Sequence, residues 1–180
     1  MGRPKQLLPY RGATLLQHAV DAAVASQCDP VIVVVGSEAD AMRKHLAGQP
    51  VRIVTNPAWA SGMGTSIRAG LTALLDEASP PNPAAAVIML CDQPAVTSEV
   101  LNRLIENYEQ LGNPIVASVY DGAAGAPALF ARSLFGELLG LNDSSGAREM
   151  IRRHSDRVLR VPFPEGSIDV DTPGDYDRLI

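Results

Sequence analysis

Cysteine is nearly absent, with only Cys28 and Cys91 in 180 residues. Two cysteines build neither a disulfide framework nor a cysteine-based zinc motif, so a reducing, cytoplasmic setting is expected. His18, His45 and His154 are scattered, without H-E-x-x-H or Cys/His spacing, which argues against zinc. Aromatics make up 4% of the chain, too few for a row of stacking platforms along a single strand of nucleic acid. Basic residues are in deficit, 15 Lys and Arg against 20 Asp and Glu, and the net charge of −5 opposes non-specific nucleic-acid binding. No apolar run approaches the length of a membrane span, so no membrane partner is expected. The N-terminus carries no signal-peptide core, and Gln6 stands where a myristoylation motif needs Ser or Thr. G-x-S-x-G, Walker A and G-x-G-x-x-G are missing. Internal repeats and low-complexity tracts are missing as well.

What remains is a chain of 46% hydrophobic and 19% charged residues, suited to one globular domain over 1–180 with a sizeable core. Thr14 to Gln17 forms a capping-box signature, and Leu15, Leu16, Ala19, Val20, Ala23 and Val24 give the following helix an apolar face. Continuous apolar runs at 31–35 and 87–90 predict strands buried on both faces of a sheet, with further strands at 51–55, 115–119, 157–161 and 168–170. Helices are expected over 38–47, 65–77, 97–109, 132–139 and 146–154, and after Thr172-Pro173. Residues 121–126 read as a small-residue loop and 127–130 as a short extended piece. Ser79 to Pro83 is a stiff surface connection and not a domain linker, because neither side has a complete core. Alternating strands and helices predict an α/β fold with three α/β/α layers and a mostly parallel sheet.

Four groups of residues can carry chemistry. Arg3 and Lys5 flank Pro4, placing two cations on a constrained loop suited to polyphosphate. Asp92 ends the apolar strand at 87–90, where open α/β sheets bind ligands. Asp169 and Asp171 alternate at the end of another predicted strand, with Asp171 last. Two small-residue loops open helices: Asn56 to Ser66, with Gly62, Gly64 and Ser66, and Ser144 to Arg148, with Ser145, Gly146 and a phosphate-compatible guanidinium. Each also has an ordinary explanation: a solvated basic terminus, an Asp that starts a turn before Pro94, a helix cap at Asp171, and two plain caps. Taken together, two carboxylates from different strand ends with cations nearby are what a magnesium–nucleotide site requires. Cys91 adjoins Asp92, whose charge disfavours a thiolate, so it reads as a core residue.

The stretches Gly2 to Pro9, Asn56-Pro57 through Gly62 to Ser66 and on to Gly70-Leu71, Leu90 to Pro94, Gly125 to Phe130, Gly146 to Arg148 and Asp169 to Pro173 occur in this order. The set resembles the MobA-like nucleotidyltransferases, within them the molybdenum cofactor cytidylyltransferase branch, and covers essentially the whole chain. The resemblance implies a Rossmann-like nucleotidyltransferase (nucleotide-diphospho-sugar transferase) fold that uses CTP, or GTP in sister branches, with Mg²⁺. It implies transfer of the nucleotidyl group to the phosphate of the molybdopterin cofactor and release of pyrophosphate. Matched by motif, Lys5 would neutralise the triphosphate, while Asp92 and Asp171 would hold the metal. Gly2, Arg3, Asn56, Gly62, Gly64 and Ser66 would lie at the nucleotide, and Ser145, Gly146 and Arg148 at the second substrate. Family members carry a strand and a Leu-Ala-Ala-Gly-x-Ser-x-Arg loop ahead of the Met-Gly-x-x-Lys motif, whereas this sequence opens at that Met. An N-terminally truncated sheet and weak nucleotide binding are therefore expected.

Three other readings fit parts of the sequence. One is a noncatalytic module that carries molybdopterin cofactor or docks a molybdoenzyme or its chaperone. Another is a nucleotide-sugar glycosyltransferase, against which Cys91-Asp92-Gln93 stands where Asp-x-Asp would be. The last is a sister guanylyl or cytidylyl specificity.

Overall fold

The computed structural model describes residues 4–76 and 82–180. A small hairpin, β1 (Pro9–Tyr10) and β2 (Ala13–Thr14), leads into α1 (Leu15–Val24). Strand β3 (Ile32–Val35), helix α2 (Ala39–His45), strand β4 (Arg52–Thr55), helix α3 (Met63–Leu74) and strand β5 (Ala85–Ile88) follow in alternation. Helix α4 (Ser98–Leu111) precedes a long hairpin of β6 (Ile115–Tyr120) and β7 (Ala123–Ala131). The chain then runs through α5 (Phe135–Leu139), α6 (Ala147–Arg153), β8 (Val158–Pro162) and α7 (Pro173–Leu179).

Strand alternation assigns the layers. Ile115 and Ala117 of β6 with Ala128 and Phe130 of β7 pack against Ile67 and Leu71 of α3, Leu138 of α5 and Met150 of α6. Their neighbours Val116 and Leu129 pack on the other side, against Leu104 and Ile105 of α4. Successive side chains thus feed two helical layers, as the period of two requires. The four-stranded sheet has the order β5-β7-β6-β8, in which β6 and β8 are parallel and β7 is antiparallel to both β5 and β6. Three of its four strands therefore run the same way. Strands β3 and β4 form a separate parallel pair. Val31 shares a cluster with Val87 and Met89, and Val33 and Val35 share one with Cys91, so β3 and β5 run alongside in the same sense. Among the described residues no strand is hydrogen-bonded between them.

That arrangement corrects the expected burial. Every residue of β5 is only half-buried, as are Ile32 to Val34, while Ile115 to Ala117 of β6 are fully enclosed. The reason is neighbour count: β3 and β5 each pair on one edge, whereas β6 lies between β7 and β8. The 121–126 loop is also corrected. It shrinks to a two-residue turn, Asp121-Gly122 with φ of 49° and 75°, and residues 123–131 form one continuous strand. Asp-Gly at a two-residue turn matches the right-handed strand twist and is a hairpin signal. The predicted strand at 87–90 forms two residues earlier, and the strand expected at 168–170 does not form: among the described residues it pairs with no other strand. Helix α3 begins at Met63, ahead of the expected start, and ends at Leu74, short of the expected 77; the connection at 79–81 lies outside the described residues, as do Gly2 and Arg3. Thr14 caps α1 by accepting from the Gln17 amide at 3.1 Å, but Gln17 turns its own amide to Asp21, so the box is half-formed. Among the described residues no helix is long and apolar enough to cross a membrane.

Candidate active site

Three segments far apart in sequence meet beyond the carboxyl end of β5. The chain leaves β5 through Met89 and Leu90 and reaches Asp92. There its backbone carbonyl accepts from the Val170 amide at 3.0 Å, which lays residues 168–172 alongside. Val170 is completely buried against Tyr10 and Leu15, so its flanking residues Asp169 and Asp171 project outward from an anchored backbone. The N-terminal segment joins the same anchor: Leu8 packs there, the Leu15 amide donates to the Leu8 carbonyl at 3.1 Å, and Tyr176 Oη donates to the Pro9 carbonyl at 2.6 Å. A single turn of 3₁₀ helix, Lys5–Leu7, then delivers Lys5 to the two carboxylates.

Lys5 Nζ lies 2.7 Å from Asp92 Oδ2 and 2.8 Å from Asp171 Oδ1. Exposure differs across the pair, 16% for the Asp92 side chain against 63% for Asp171, so Asp92 is the sheltered partner. Burial works to lower the Lys5 pKa, but hydrogen bonds and charge from Asp171 and Asp92 override it and raise the ammonium above its usual range. Asp92 Oδ1 is buried without a hydrogen-bond partner. Asp169 stands close by, its carboxyl raised first by burial and then by the charges of Asp171 and Asp92. The Cys91 thiol is pushed up to about 11, by burial more than by Asp92, which makes it a core residue in chemistry as well as position.

Gln93 is a positioning residue that chemistry-first reading of the sequence passes over. It is buried, and its Nε2 donates to the Ala126 and Gly166 carbonyls, each at 3.1 Å, tying the Asp92 loop to β7 and to the turn before Asp169. The amide directly between Asp92 and Pro94 was its only sequence signal. Asp171 is held from the other side. Thr172 and Asp175 form a complete capping box at the start of α7, and these bonds with Arg178 hold the Asp175 carboxyl down to about 2. A carboxylate depressed in the folded state stabilises above its unfolded pKa and loses that contribution as pH falls through the folded value. The α7 cap is therefore expected to loosen as pH drops from about 4 to about 2, seen as faster amide exchange at Asp175 and Tyr176 before the β6 amides change.

The remaining candidate residues form a second group. Asn56, at the end of β4, is 3% exposed and fully engaged: its Nδ2 donates to Thr65 Oγ1 at 2.7 Å and Ser66 Oγ at 3.0 Å, and its Oδ1 accepts from the Ala58 amide at 3.0 Å. It pins the loop to the first turn of α3. Gly62 and Gly64 face the 142–145 loop: a Cβ on Gly62 would lie 2.5 Å from the Asp143 carbonyl oxygen, and one on Gly64 2.1 Å from that of Asn142. The Gly64 amide donates to the Asp143 carbonyl at 2.9 Å. Arg68 ties the same loop down through the Leu141 carbonyl and Asp143. These glycines thus serve close approach of two loops, and the two sets expected at nucleotide and second substrate are one packed unit. Ser145 is buried and donates to Glu149, Gly146 lies under Met63, and Arg148 projects to solvent without an ion pair among the described residues. No hydrogen bond or ion pair among the described residues joins this unit to Lys5, Asp92 or Asp171. Replacing Asn56 by alanine is expected to cost about 1–3 kcal/mol, because the buried Thr65 hydroxyl loses a bond and the loop loses its tie to α3, and urea unfolding checks it.

Solved structures agree with this architecture, and sequence relatives align along the chain. A Mycobacterium tuberculosis H37Rv protein, Rv0371C, crystallised in complex with manganese, superposes with a TM-score of 0.81 at 32% identity over 99% of this chain and 92% of its own. The molybdenum cofactor cytidylyltransferase of Escherichia coli K12 is 22% identical over 98% of this chain and 86% of its length. The nicotine blue oxidoreductase of Paenarthrobacter nicotinovorans is 36% identical over 109 residues, 60% of this chain, and the aligned region spans half of that relative's length. The family model of the MobA-like NTP transferase domain matches residues 1–158, and the chain belongs to that family of nucleotidyltransferases.

Proposed function

We propose that the chain transfers CMP from CTP to the terminal phosphate of molybdenum–molybdopterin cofactor, with Mg²⁺, releasing pyrophosphate. The observation that carries the reading is the ammonium of Lys5 gripped by Asp92 and Asp171 beyond the carboxyl end of β5, where open α/β sheets place their ligands. The donor set suits a hard divalent cation. Two carboxylates with Asp169 beside them carry more negative charge than one ammonium balances, and Asp92 keeps an oxygen with no partner. Mg²⁺ takes few protein ligands and keeps water and phosphate oxygens, so two carboxylates are enough to hold it. When bound by Asp92 and Asp171, the ion would supply charge neutralisation at the phosphates.

The chain's own residues cover the other requirements. Lys5 offers a fixed positive charge to the triphosphate, and Arg148 offers an exposed guanidinium to a second phosphate-bearing substrate. The acceptor phosphate is already ionised, so its oxygen attacks the α-phosphorus in line without a general base. One P–O bond forms, the bond to the pyrophosphate oxygen breaks, and the electron pair leaves with pyrophosphate. Positioning and electrostatics suffice for such a step, which agrees with the unreactive Cys91 thiol. The test is pyrophosphate release from CTP and from GTP with Mg²⁺ and molybdenum cofactor. Faster release from CTP is expected. Faster release from GTP would change the base assignment, and cofactor binding without any release would favour a noncatalytic carrier.

A further inference from the structure

Lys5 occupies the place of a cation. Its Nζ sits within 2.7 and 2.8 Å of one oxygen from each carboxylate that the proposed function gives to the metal. The other oxygen of the sheltered carboxylate, Asp92 Oδ1, is buried, so an ion arriving from solvent meets the oxygen that Lys5 already holds. Two like charges on the same pair of oxygens would repel strongly at such a separation.

We infer that Lys5 is an internal counter-cation that blocks the Asp92–Asp171 metal position until a polyphosphate draws its ammonium away. The inference rests on the assignment of metal binding to Asp92 and Asp171. It goes beyond that assignment by making metal and nucleotide entry interdependent: phosphate oxygens offer Lys5 a new partner, and the freed carboxylates then accept the divalent ion. Lys5 is suited to such an exchange. It arrives on one short turn with no buried residue, and its compact charge on a flexible stem can swing between partners, which a bidentate guanidinium does less readily. Coupling of this kind is reciprocal, so metal must tighten nucleotide binding by the factor that nucleotide tightens metal. It would also keep the empty site from retaining metal, with the three carboxylates of Asp92, Asp169 and Asp171 partly neutralised in the meantime.

The test is Mn²⁺ titration, followed by electron paramagnetic resonance, of the full chain without nucleotide. Lys5→Gln keeps two N–H donors for the carboxylates but removes the charge; Lys5→Met removes both. Weak Mn²⁺ binding by the unmodified chain and at least about tenfold tighter binding by Lys5→Gln is the expected result. Equal affinities, or tight binding by the unmodified chain, would overturn the inference. Should the variants not fold, the side-chain ammonium resonance of Lys5 in the unmodified chain decides. It is expected to shift when Mg²⁺ and a non-hydrolysable CTP analogue are added together, and an unshifted signal with metal bound would overturn the inference. These readouts need no turnover, so loss of the transferase reading and loss of this one are told apart.

Discussion

Replacing Asp92 by asparagine is expected to lower pyrophosphate release by about 10²–10³-fold, the loss typical of removing one preorganised electrostatic group from a transition state. The substitution keeps the shape of the side chain. It leaves the Val170 amide bonded to the residue 92 carbonyl and leaves Lys5 its bond to Asp171, so the local backbone has no reason to move. What changes is charge at the more sheltered of the two carboxylates, where low exposure makes electrostatics count most. Steady-state kinetics with CTP should show the loss in kcat more than in KM, and the melting temperature should stay near that of the parent. The parallel change at Asp171, at 63% exposure, should cost less. Unaltered turnover by Asp92→Asn would remove this residue from the chemistry.

Gly64→Ala is expected to be the most disruptive glycine-to-alanine change among the described residues. The added carbon would meet the Asn142 carbonyl oxygen at 2.1 Å and that of Ser145 at 3.0 Å. Both are backbone atoms, so neither can rotate aside. Helix α3 and the 142–145 loop would have to separate, breaking the bond from the Gly64 amide to Asp143 and dragging Ser66 and Arg148 apart. Overpacking of this kind costs about 1–3 kcal/mol, and more when only backbone can yield. Urea denaturation should show the lowered midpoint, and nucleotide turnover should fall with it. Gly136→Ala supplies the contrast: nothing lies within 4 Å of the place its methyl would take, and alanine favours helix over glycine by up to about 1 kcal/mol, so stability should hold or rise. Equal stability for the two variants would mean that the loops part without cost and that the glycines are there for another reason.

How much of this was legible from residues alone differs from site to site. Lys5, Asp92 and Asp171 each carried a local signal: a cation beside a proline, a carboxylate closing an apolar run, and an acid before a Thr-Pro cap. Local signals of that kind survive because they report what a few neighbouring residues can do. The Asp-Gly hairpin at 121–122 was equally local and was readable by the same logic, since only that turn geometry matches the twist of its strands. The α7 cap was legible in Thr172-Pro173 for the same reason.

Tertiary structure alone decided the rest. Lys5 meets partners 87 and 166 residues away because Val170, an unremarkable apolar residue in sequence, is buried with Tyr10 and Leu15 and carries Asp171 to its place. The apolar runs of β3 and β5 announced strands but not how many neighbours each would find, and pairing on a single edge left them half-buried. Gly62 and Gly64 announced room for something to approach, while the thing that approaches, the distant 142–145 loop, is fixed by the fold. A sequence states which groups are available and what each tolerates nearby. Distances between groups remote in the chain depend on packing summed over the whole core, and that sum exists only once the chain has folded.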